Sequence, residues 1–130
     1  MWIKSKIILI LCATLIVIVG CATVPVEEPG PRTLASLELT KDGKRLLESG
    51  QPDEAIRVLE QAVSIDTSNG QNYYYLSEAW LAKGRENISQ AEEFNRLAGM
   101  YLASDEQWME KVKNQKAYIE KLRDISRRNL

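Results

Sequence analysis

The chain repeats itself, and that repetition restricts its possible folds more than any other feature. Shifted by 34 residues, Leu39 falls on Tyr73, Gly43 on Ser77, Leu46 on Trp80, Leu47 on Leu81 and Gly50 on Gly84, large side chains on large and small on small. Beyond Gly84 the shift grows to 36, where Ala55, Val58, Ala62 and Ile65 fall on Ala91, Phe94, Ala98 and Tyr101. Two residues have therefore been added around Arg85–Ser89. A period of this length marks a unit that cannot bury its apolar face alone and does so against its own copy. Small residues at matching places let neighbouring backbones approach closely. Together with helical apolar spacing, they predict an all-α chain of packed hairpins.

The elements follow from the same spacing. Helix one runs from about Leu34 to Ser49 with Leu39, Gly43, Leu46 and Leu47 inward, and helix two from Pro52 to Ile65 with Ala55, Leu59, Ala62 and Val63 inward. Proline at the start of helix two is in its proper place, since its missing N–H would have no intrahelical acceptor there. Helix three, about Gln71 to Lys83, turns Tyr73, Leu76, Ser77 and Trp80 inward, and helix four, about Ile88 to Ala103, offers Ala91, Phe94, Ala98 and Tyr101.

Gly43, Gly50, Ala55 and Ala62 carry a resemblance. A small residue in the first helix, a glycine at the turn and two alanines seven apart in the second helix resemble the tetratricopeptide repeat, over Ser36–Asn69 and, in a degenerate copy, over 70–103. The copy departs by its insertion, by Gly99 and by Asn95 where a large residue is usual. The first unit has Thr67 where proline is customary, so Asn69-Gly70 is expected to turn the chain by its left-handed preference. The resemblance implies a concave face, lined by the first helix of each unit, that receives a peptide or a helix of another protein. The residues that would line it are Thr40, Lys44 and Leu47, then Gln71, Tyr74, Glu78 and Leu81. Of the consecutive tyrosines, Tyr73 reads as core, Tyr74 as the binding aromatic and Tyr75 as surface. Lys44 lacks the companion residues of the carboxylate clamp found in chaperone-binding relatives.

A final helix is expected over 104–130, opened by Ser104 with Gln107 as a capping box and by Asp105 and Glu106 at its positive end. Trp108, Val112, Gln115, Ile119 and Leu122 form a narrow stripe on an otherwise charged helix. That suits a cap on the end of the repeat core, whose outer side must be polar. A coiled-coil seam for a partner or a second copy is the alternative, and fewer than four heptads argue against it.

Ahead of the repeats, Lys4 and Lys6 precede an apolar run, Ile7–Val19, that ends in Ile18-Val19-Gly20-Cys21. The run is shorter than the roughly 20 residues a spanning helix needs. It resembles the signal sequence of a bacterial lipoprotein, which implies cleavage after residue 20 and lipid on the Cys21 thiol. An uncleaved helix over Met1–Val24 is the other reading. Ala22 in place of aspartate implies sorting to the outer membrane, periplasmic face, rather than the inner membrane. Residues 21–33, with Pro25, Pro29 and Pro31, read as an extended tether.

Composition then narrows function. Histidine is absent, Cys12 lies in the segment expected to be removed, and Cys21 is expected to carry lipid, so no thiol or imidazole is left for nucleophilic, general-base or metal chemistry. No metal and no cofactor is expected. Loss of Lys4 and Lys6 with the signal takes the formal charge from −1 to −3. Basic residues interleave with acidic ones, which excludes a nucleic-acid groove. Adjacent pairs such as Asp53-Glu54 and Glu92-Glu93 splay apart on a helix and are solvated. The expectation is a non-enzymatic, lipid-anchored adaptor that binds an envelope protein or peptide, as a monomer. Self-association through the final helix and a cell-wall hydrolase centred on Glu78 are the competing readings.

Overall fold

The computed structural model describes residues 29–128, and the expected signal segment, Cys21 and most of the tether lie outside them. The described chain is five α-helices: α1 (Pro31–Glu48), α2 (Pro52–Ile65), α3 (Gly70–Lys83), α4 (Ile88–Tyr101) and α5 (Glu106–Arg128). Among the described residues there is no strand. Helices α1 and α2 form one hairpin and α3 and α4 a second, with α3 also packed on both α1 and α2, and α5 laid against α4. None of these helices is long and apolar enough to cross a membrane. The boundary of the tether shifts: Pro31 is not linker but the first residue of α1, where proline is preorganised for a helix start.

Glycine closes the first hairpin because the turn requires a positive φ. Gly50 has φ 72°, the N–H of Gln51 donates to the Leu46 carbonyl at 2.9 Å, and that of Gly50 donates to the Leu47 carbonyl at 3.0 Å. This double bond is the Schellman closure, and Pro52 opens α2 directly after it. The equivalent turn after α3 has Gly84 at φ 146° and holds the two added residues in a single 3-10 turn, Arg85–Asn87. The insertion read from the change of period is thus one local turn that leaves both hairpins intact.

The other two turns correct the sequence expectations. Asn69 is extended (φ −75°) rather than left-handed, and its side-chain oxygen accepts from the Gln71 N–H at 3.1 Å, so it caps α3. Gly70 is needed for space instead: a Cβ there would stand 2.5 Å from Leu102 Cγ. The cap of α5 is Asp105, whose carboxylate accepts from the Trp108 N–H at 3.1 Å, in place of Ser104. Aspartate adds charge to the same geometry at the positive helix end.

The core follows the repeat. Ala55, Leu59 and Ala62 of α2, Leu76 and Ala79 of α3, and Ala91 and Ala98 of α4 are buried, and Val112 and Ile119 seal the far end from α5. Gly43 shows why a small residue recurs, because a Cβ on it would lie 2.5 Å from Leu59 Cγ. Helix α1 departs from expectation: Leu39, Leu46 and Leu47 are only half-buried, and its innermost side chains are Ser36 and Thr40. Ser36 Oγ donates to the Ala62 carbonyl at 3.1 Å, Asn72 Nδ2 donates to Ser36 Oγ at 3.2 Å, and the Thr40 hydroxyl donates to Asn72 Oδ1. Buried polar groups survive there because each has a partner.

Candidate functional site

Helices α1, α3 and α5 present one face, recessed between each pair. Between α1 and α3 lies a cleft of about 230 Å³, bordered by Leu37, Lys41, Lys44, Gln71 and Tyr75. Between α3 and α5 lies a wider one of about 480 Å³, bordered by Tyr74, Glu78, Leu81, Lys111, Asn114 and Tyr118. The difference has a structural cause. Helix α1 packs closely on α3, whereas α5 rests its backbone on α4 and reaches α3 through side chains.

The bridge from α5 to α3 is a buried amide relay. Asn95 Nδ2 donates to Gln115 Oε1 at 2.8 Å and to the Val112 carbonyl at 3.0 Å, and Gln115 Nε2 donates to the Tyr74 carbonyl at 3.2 Å. Asn95, which departs from the repeat pattern, and Gln115, the polar member of the final stripe, therefore explain one another. The rest of the stripe is taken up inside the chain: Val112 and Ile119 are buried, and Trp108 and Leu122 are packed against the core.

An aromatic ridge stands between the clefts. The Tyr74 ring lies 5.3 Å from Trp108 and 5.4 Å from Tyr75, and Tyr75 lies 5.9 Å from Trp108, all edge to face. Such contacts fix ring orientation at little entropic cost. Lys111 lays its ammonium 4.1 Å over the Trp108 ring. Burial pushes the Tyr74 phenol well above its ordinary value, with the facing Glu78 acting in the same sense, so Tyr74 is a neutral donor at any physiological pH. The Glu78 carboxyl is also pushed up, by burial first, against the opposing pull of the Tyr74 hydroxyl, Lys111 and Lys44.

Of the residues expected on this face, Tyr74, Glu78 and Leu81 meet in the wider cleft and Lys44 and Gln71 in the narrower. Thr40 borders the narrower cleft but is only 3% exposed, its hydroxyl committed to Asn72, so it acts through packing and not as an exposed contact. Leu47 packs on the core. Tyr75 is not simple surface, since it joins the ridge. The contribution of α5, through Trp108, Lys111, Asn114 and Tyr118, was missed because the final helix read as a cap or a coiled-coil seam and not as a wall of the concave face. Its signal in the sequence was Gln115, a polar residue in an apolar stripe. Among the described residues no group of three or more metal-ligating side chains converges.

Residues 46–108 match the family model described as tetratricopeptide repeat. That span runs from the end of α1 through α2, α3 and α4 to the first turn of α5. Comparison with curated proteins and with solved structures gives no match. Over that span the chain is similar to the tetratricopeptide repeat, a fold typical of protein–protein interaction.

Proposed function

We propose that this protein is a lipid-anchored adaptor of the bacterial envelope, held by Cys21 at the periplasmic face of the outer membrane, whose α1–α3–α5 face docks a segment of another envelope protein. The observation that carries the docking half is the pair of clefts divided by a rigid ridge of Tyr74, Tyr75 and Trp108. Tyrosine and tryptophan held in place by their neighbours supply contact area without ordering cost, which is the usual make-up of a binding hot spot. The anchoring half rests on the order of Lys4, Lys6, the apolar run Ile7–Val19 and Gly20-Cys21. Two or more acyl chains would hold the domain durably, so the folded part needs no membrane surface of its own.

What weighs against self-pairing through the stripe of α5 is that the stripe packs against α3 and α4 of the same chain. Nor does Glu78 resemble half of a catalytic carboxylate pair, since the charged groups facing it are Lys44 and Lys111. Lipid labelling tests the anchor: Cys21→Ser is expected to abolish incorporation of labelled palmitate and to leave the precursor uncut, and normal maturation of that variant refutes it. Photo-crosslinking from Gln71 and Lys44 in intact cells tests the docking face.

A further inference from the structure

Glu78 lies in the wall of the wider cleft, and no group of the described chain neutralises it at contact distance. Lys44 is committed to Glu48 at 3.7 Å, and Lys111 to the face of Trp108. Both lysines favour the charged carboxylate from a distance, yet loss of water outweighs them. A half-buried carboxylate left in that balance gains most from a cation delivered by a ligand. Around it stand surfaces that accept the stem and flat face of such a cation: the rings of Tyr74 and Tyr118, the latter 54% exposed, and the side chain of Leu81. On the opposite wall Gln115 is already bonded on both sides of its amide, which leaves Asn114 to meet the ligand backbone. The narrower cleft has no carboxylate on its border, and its two lysines are each paired with a glutamate of α1, Lys41 with Glu38 at 2.7 Å and Lys44 with Glu48 at 3.7 Å.

Resting on the adaptor reading above, the geometry points to the α3–α5 cleft as the receptor for one cationic side chain, arginine or lysine, of the docked protein segment. Glu78 supplies the ion pair and Tyr74 and Tyr118 supply the walls, whereas the α1–α3 cleft has no carboxylate on its border to receive a cation. An anionic side chain is rejected from the wider cleft by Glu78 itself. Register is set by charge, because a segment slid from one cleft to the next would take its cation away from Glu78 and leave it without a carboxylate on the cleft border.

The test uses the full chain in detergent micelles, titrated with peptides Gly-Ser-Leu-Xaa-Ala-Ser-Gly in which Xaa is arginine, citrulline or glutamate. Amide NMR shifts are read at Glu78, Asn114 and Gln115, and at Leu37 and Gln71 for the narrower cleft. The arginine peptide is expected to move the first group and to bind about tenfold more tightly than the citrulline peptide, with Glu78→Gln removing that difference. Equal binding of the citrulline or glutamate peptide, undiminished arginine binding by Glu78→Gln, shifts confined to Leu37 and Gln71, or no binding of the arginine peptide each overturns the site. A partner crosslinked from Gln71 in cells equally by wild type and Glu78→Gln also overturns it while leaving the adaptor reading intact. Capture of nothing from either cleft removes the adaptor reading itself.

Discussion

Gly43→Ala puts the repeat argument to a quantitative test, because two effects of opposite sign act at one atom. In a helix interior alanine is favoured over glycine by about 1 kcal/mol, so an unobstructed site would gain stability. Here the new methyl would stand 2.5 Å from Leu59 Cγ and 2.6 Å from its Cδ2, and Leu59 is fully buried. Contacts below 3 Å force α1 away from α2 or push Leu59 out of its rotamer, and overpacking of this kind costs about 1–3 kcal/mol. The balance is a net loss of about 1 kcal/mol, which lowers the melting temperature by roughly 4–8 °C for a domain of this size. Thermal unfolding followed by circular dichroism reads it. A second variant isolates the cause. Leu59→Ala alone should cost about 2–5 kcal/mol, but it removes the three atoms nearest the added methyl at residue 43, and Gly43→Ala in that background should become stabilising. A wild-type background in which Gly43→Ala raises stability, or a penalty unchanged by Leu59→Ala, refutes the claim that close helix approach is what keeps the position small.

Glu78→Gln is expected to be more stable than wild type at neutral pH. Since the carboxyl's folded value lies above its unfolded one, the native state holds the proton more tightly, and wild-type stability falls as pH rises from the ordinary carboxylate value of 4.5 through the raised one. The advantage of the variant should therefore open across that window and vanish below it, and urea titrations that show a constant gap with pH contradict the assignment. Asn95→Ala strands Gln115 Oε1 in the interior and should cost about 1–3 kcal/mol. Asn95→Leu combined with Gln115→Leu, which removes both partners, should recover most of that loss, and a double variant worse than Asn95→Ala denies the relay its role.

Legibility in the sequence divided along a physical line. Helices α2 and α3 were placed within a residue because proline, glycine and the apolar period all spoke at the same boundaries, as at Gly50-Gln51-Pro52. The interior of α1 was misread because periodicity counts apolar residues, while Ser36 and Thr40 are buried by hydrogen bonds to Ala62 and Asn72 that lie 26 and 32 residues away. No local pattern announces such a partner. For the same reason Asn69 looked like a left-handed turn: its side chain can satisfy either role, and only the course of α3 selects the cap.

The candidate face was half legible, and the missing half identifies what makes it a site. A terminal helix that served only to cover apolar core would lie as close to α3 as to α4. Helix α5 does not: beside the apolar packing of Val112 and Ile119, its buried polar contacts to the second hairpin run through Gln115, which Asn95 of α4 holds by its oxygen and which meets the backbone of α3 with the full length of its side chain. The gap so created is the wider cleft, and Trp108 at the head of α5 closes one end of it against Tyr74. Replacing that relay with leucines would keep the helix and the core, yet let α5 settle onto α3. If the cleft exists because of the relay, the double leucine variant should fold and lose ligand binding together with the room for it. A double variant that folds and still binds the arginine peptide as wild type does would show that Trp108 and Tyr74 alone hold the space open.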